Sequence, residues 1–142
     1  MDSPVADREQ RISGWLVWAL ALILLPAAAA AQDIERAIAF HLEGELDRAL
    51  EEYAEVARAV ADTEPNVAAA AHTNSCAIHM GRGEYESALQ SCEAALELRR
   101  STGDLPRTAR TLNNLALTLQ NLGRYGEARA RYLEALEINR GE

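Results

Sequence analysis

A three-residue punctuation recurs along this chain at a nearly fixed interval, and it restricts the fold more than any other feature. Gly44-Glu45-Leu46, Gly83-Glu84-Tyr85 and Gly123-Arg124-Tyr125 are separated by 39 and 40 residues. The same apolar offsets follow each of them: Ala49, Tyr53 and Val56; Ala88, Cys92 and Ala95; Ala128, Tyr132 and Ala135. Such spacing keeps each set on one helical face. Leu112, Leu115, Ala116 and Leu119 form a matching face before the last glycine, so each glycine falls where two amphipathic helices turn. A unit repeated at this interval cannot bury its apolar face alone, and the units must stack.

The chain therefore reads as all-α, with six helices in three hairpins. Asp33 is a candidate N-cap for a first helix from Ile34 to about Leu42, and a second runs from Glu45 to about Ala61. Thr63-Glu64-Pro65-Asn66 breaks the chain, Pro65 opens a third helix that reaches Met80, and Gly81-Arg82-Gly83 is expected to form the turn. Helices from Tyr85 to Arg100, Leu105 to Asn121 and Tyr125 to Asn139 complete the set, with Gly103 and Asp104 as successive C-cap and N-cap. The repeats span about 32–63, 66–102 and 105–140.

Charge and composition exclude several functions. The 14 basic residues are all arginine and the net charge is −8, which argues against nucleic acid, since phosphate binding needs a basic face. No Gly-rich phosphate loop, nucleophile motif or strand pattern is present. Carboxylate pairs such as Glu51 with Glu52 and Glu134 with Glu137 read as solvated helix faces. Neither an enzymatic activity nor a cofactor is expected.

The N-terminus is a separate object. Trp15 to Leu25 is an unbroken apolar run, followed by Pro26, the five alanines Ala27 to Ala31 and the polar Gln32-Asp33. Its length suits a signal-peptide core rather than the roughly 20 residues of a spanning helix, with cleavage expected after Ala31. This divides the chain into a leader, 1–31, and a mature domain, 32–142. Asp2, Asp7 and Glu9 offset Arg8 and Arg11, and with the alanines the apolar stretch reaches about the lower limit for a span. An uncleaved membrane anchor is thus the alternative. Both readings place the repeats outside the cytoplasm, periplasmic or secreted in the first case and membrane-attached in the second.

The second repeat carries His72, Cys76, His79 and Cys92 where the third has Leu112, Ala116, Leu119 and Tyr132. His72, Cys76 and His79 share one helical face, and Cys92 comes from the facing helix, level with Cys76. Three arrangements fit these residue types. An exported chain with one pair of cysteines points to a Cys76–Cys92 disulfide. All four side chains together suit a structural zinc site. Buried thiols with hydrogen-bonded histidines are the plain-core alternative.

The line Leu112-Asn113-Asn114-Leu115-Ala116, with Gly123, Tyr125, Ala128, Tyr132 and Ala135, resembles the tetratricopeptide repeat. The family's common period is about 34 residues, and the longer interval here resembles the kinesin-light-chain variant. The resemblance covers roughly residues 33 to 140 and implies a short right-handed α-solenoid that binds protein or peptide in a concave groove. It places Thr73, Asn74, Met80, Arg110, Asn113, Asn114, Leu117, Gln120 and Asn121 in that groove. Asparagine amides pair with both polar groups of an extended backbone, and Asn74 and Asn114 occupy matching positions. Arg110 suits an acidic side chain, whereas the multi-cation clamp of chaperone-binding members is not reproduced. Leu133, Leu136 and Ile138 sit where a further repeat would pack, so they are expected to be exposed and to form a partner or self-association surface.

Overall fold

The computed structural model describes residues 29–141, and the apolar run and acidic-basic segment before them lie outside it. Six helices, and no strand, occur among the described residues. They are α1 (29–43), α2 (Leu46–Val60), α3 (Pro65–Arg82), α4 (Tyr85–Thr102), α5 (Leu105–Asn121) and α6 (Tyr125–Gly141). From α2 onward each helix packs on its neighbour in sequence. No described helix is long and apolar enough to cross a membrane.

Local chemistry sets the boundaries. At the end of α3, Gly83 takes the left-handed conformation (φ 74°). Its N–H donates to the Met80 carbonyl at 3.1 Å and that of Glu84 to the His79 carbonyl at 2.9 Å, a C-terminal cap that a residue with a Cβ would strain. Gly123 repeats this after α5, with φ 75°. Asp104 caps α5 by accepting the Arg107 backbone N–H at 3.1 Å, with a further bond from Arg107 Nη1 at 2.5 Å. Those bonds hold its carboxyl below the usual range.

Two boundaries differ from expectation. Gly81 and Arg82 remain helical, and Gly83 alone turns the chain. One interior glycine costs about 1 kcal/mol, too little to end a well-packed helix. Helix α1 is already formed at residue 29, and Ala30 is buried in the first core. The bond after Ala31 therefore lies inside a helical turn rather than before an Asp33 cap.

The interior falls into two apolar clusters. The first joins Ala37 of α1, Tyr53, Val56 and Val60 of α2, and Ala68, Ala71 and Ile78 of α3. The second joins Cys76 of α3, Ala88, Cys92 and Leu96 of α4, Leu112, Leu115 and Leu119 of α5, and Ala128 and Ala135 of α6. Alanine recurs at the helix contacts of both, which lets backbones approach closely. Tyr132, aligned with the interior Tyr53 and Cys92, is instead exposed. No helix covers that side of α6 among the described residues.

Candidate functional site

Helix α5 shows how the fold divides each inner helix. Thr108, Ala109, Thr111, Leu112, Leu115, Ala116, Thr118 and Leu119 are buried, while Arg110, Asn113, Leu117, Gln120 and Asn121 are exposed. These exposed residues recur at helical spacing and make one solvent face. Asn114, at its edge, is half-buried, and its carbonyl accepts from Thr118 Oγ1 at 2.9 Å. Asn121 Nδ2 is turned back to the Leu117 carbonyl at 2.9 Å.

The register carries this face across the three repeats. Ile38, Ala77 and Leu117 occupy one equivalent position, and all three are exposed, Ile38 by 38% and Leu117 by 42%. Glu35, Asn74 and Asn114 occupy the neighbouring position. Solvent-facing leucine and isoleucine at matching positions form a row that the pattern of the third repeat alone does not disclose. The glycine register finds it, because it aligns the degenerate first repeat with the others.

A buried polar atom lies next to Asn74. The Tyr53 hydroxyl has no hydrogen-bond partner in good geometry among the described residues. Burial raises its pKa, and its approach to the Asn74 amide offsets part of that shift. His41 meets the Tyr53 ring edge-on, with centroids 6.3 Å apart. This cluster joins one helix from each of α1, α2 and α3.

The second repeat resolves into a disulfide. Cys76 and Cys92 are bonded, with Cα atoms 5.4 Å apart and both side chains fully buried, a separation ordinary for the bond. Cys76 Sγ also lies 4.0 Å from Thr118 Oγ1, so the bridge abuts α5. The four-ligand zinc arrangement is corrected accordingly. Bonded sulfurs offer no thiolate, and His79 Nδ1 pairs with Glu84 Oε2 at 2.5 Å, beside the α3–α4 turn. No cluster of three or more His, Cys, Asp and Glu suited to a metal occurs among the described residues. His72 is half-buried, and burial pushes its pKa down, favouring the neutral ring.

At the far end, Leu133 and Leu136 are exposed by 48% and 41%. Ile138 is corrected: it is half-buried, packed on the second core. It follows Ala135 by three residues, so it falls on the inner face of α6.

A family model described as tetratricopeptide repeat matches residues 66–141. No curated protein matches the chain. Among solved structures, the N-terminal domain of stress-induced protein-1 from C. elegans superposes with a TM-score of 0.71 at 18% identity, covering 80% of this chain and 86% of that one. BtubC from P. vanneervenii gives 0.71 at 20%, covering 79% of this chain and 47% of its own, so the chain spans about half that protein. The TPR domain of Arabidopsis FLU gives 0.69 at 17%, covering 82% and 99%. At these identities the structural likeness concerns the fold.

Proposed function

Because the chain belongs to the tetratricopeptide-repeat family, whose repeats generally mediate protein–protein interaction and are typically non-catalytic scaffolds, we propose that it is an exported module that holds an extended peptide segment against α1, α3 and α5. The observation that carries this reading is the exposed row Ile38, Ala77 and Leu117, flanked by Asn74 and Asn114. Apolar positions in a row receive side chains of the segment, while amides beside them bond its backbone, the division of labour found in peptide grooves generally. The groove is formed by right-handed stacking of the three repeats, and Arg110, Asn113 and Gln120 extend it toward the start and end of α5.

Export rests on the leader, 1–31, and on the disulfide, which persists in oxidising compartments. The burial of Ala30 favours the membrane-attached alternative to cleavage after Ala31, since an uncleaved chain keeps that residue in the core.

Replacing Asn74 and Asn114 together with alanine is expected to weaken a partner recovered by crosslinking more than about tenfold, two polar contacts at roughly 1 kcal/mol each. Titration by calorimetry checks it, and an unchanged affinity would sink the groove.

A second reading has its own observation. Leu133 and Leu136 lie exposed on α6 with Tyr125 and Tyr132, a contiguous apolar surface of the kind that joins subunits. On that reading the protein is a structural subunit or homo-oligomer, and sedimentation of the 32–142 domain gives a dimer or larger species that Leu133→Glu dissociates. A monomer at micromolar concentration removes it.

A further inference from the structure

Arg99 is the one buried charged residue among the described residues, 4% exposed in the last turn of α4. Its Nη1 donates to Asn66 Oδ1 at 2.7 Å, and Thr102 Oγ1 donates to the same oxygen at 3.3 Å. Its Nε is buried without a partner. No carboxylate lies within ion-pair distance of it among the described residues. A guanidinium taken out of water without a counter-charge is unfavourable on its own. The carbonyl end of α4 relieves only part of that.

The nearest acid in the chain does not fill the gap. Asp104 is held by Arg107 through both a backbone and a side-chain bond. Burial first, then the charge of Arg107 and more weakly that of Arg110, push the Arg99 pKa down, while Asp104 pulls the other way. Three guanidiniums thus share the α4–α5 corner with one carboxylate already engaged. The imbalance is local, because the whole chain carries −8. Arg110 belongs to the exposed face of α5 described above, so the corner adjoins one end of the proposed groove.

We propose that this corner docks a carboxylate of the bound segment, an acidic side chain set against Arg110 and the unpartnered edge of the Arg99 guanidinium. The inference rests on the groove reading for the route the segment takes, and it adds a partner chemistry and a direction: the acidic part of the segment lies toward the third repeat. Glu35, at the first-repeat end of the same register, repels that part and reinforces the direction.

The test uses the full chain with its disulfide intact and two fluorescein-labelled, C-terminally amidated peptides, one alternating alanine with glutamate and one alternating alanine with glutamine. The glutamate peptide is expected to bind about tenfold more tightly, the scale of a charge-assisted contact. Arg110→Gln is expected to erase most of that preference. Arg110 is exposed, so its replacement leaves the core intact, whereas Arg99→Gln removes a buried group and is read only alongside it. Arg100→Gln, on the same helix but paired with Glu134, leaves the preference unchanged. Equal binding of the two peptides, or a preference that survives Arg110→Gln, overturns the proposal. The Asn74 and Asn114 double variant separates the two ideas. If only the groove reading fails, the glutamate preference survives that variant. If only the corner fails, the Asn variant still weakens the crosslinked partner while Arg110→Gln changes nothing.

Discussion

Replacing Cys76 and Cys92 together with alanine is expected to destabilise the domain by roughly 3 kcal/mol, the chain-entropy value for a loop of this length. The bridge spans a sequence separation of 16 and joins α3 to α4 across the second core. Its removal frees the hairpin in the unfolded chain and leaves two alanines where bonded sulfur filled the interior. Each term acts in the same direction. For a domain of this size the thermal midpoint falls by on the order of 10 °C. Urea titration of the oxidised protein, the reduced protein and the double variant checks this, and midpoints that coincide would show the bridge to be energetically idle.

Leu112→Ala is expected to have an effect at least as large, about 2–5 kcal/mol. Leu112 is fully buried in the second core, where deletion of a leucine side chain loses transfer free energy and leaves a cavity. Leu117→Ala, five residues along the same helix and 42% exposed, is expected to change stability by less than about 0.5 kcal/mol. The pair is informative together. Chemical denaturation should separate the two variants clearly, while binding should reverse their order, since Leu117 belongs to the exposed row. Equal losses of stability from the two variants would mean that α5 presents a different face to the core.

The residues that made the fold legible are those whose chemistry is local. Gly83 and Gly123 mark the turns because a left-handed residue after a helix favours glycine, and both adopt it. The offsets of Ala49, Ala88 and Ala128 located the interior of the even helices, and all three are buried. Cys76 and Cys92 were placed level by counting from the turn, and the bond joins them.

What local chemistry could not reveal depends on packing between elements. Gly81 looked like part of a turn, yet tertiary contacts keep it helical. Ile138 and Tyr132 exchanged roles, one half-buried and one exposed, because α6 meets a neighbour on one side only among the described residues. Arg99 was invisible in the sequence, where a basic residue in the last turn of a helix is an ordinary finding. Its burial arises from α3 and α4 meeting near Asn66, a relation 33 residues apart along the chain.

Helix α3 supplies Ala68, Ala71 and Ile78 to the first cluster and Cys76 to the second. Neither cluster can open without disturbing a helix that the other holds in place, so the two behave energetically as one cooperative unit despite their separation in space. The amides of α3 are accordingly the slowest to exchange with solvent deuterium, reporting global unfolding, while α6, held on one side, exchanges by fraying. The most stable part of this repeat array is its middle, and the disulfide sits where both halves of the molecule draw on it.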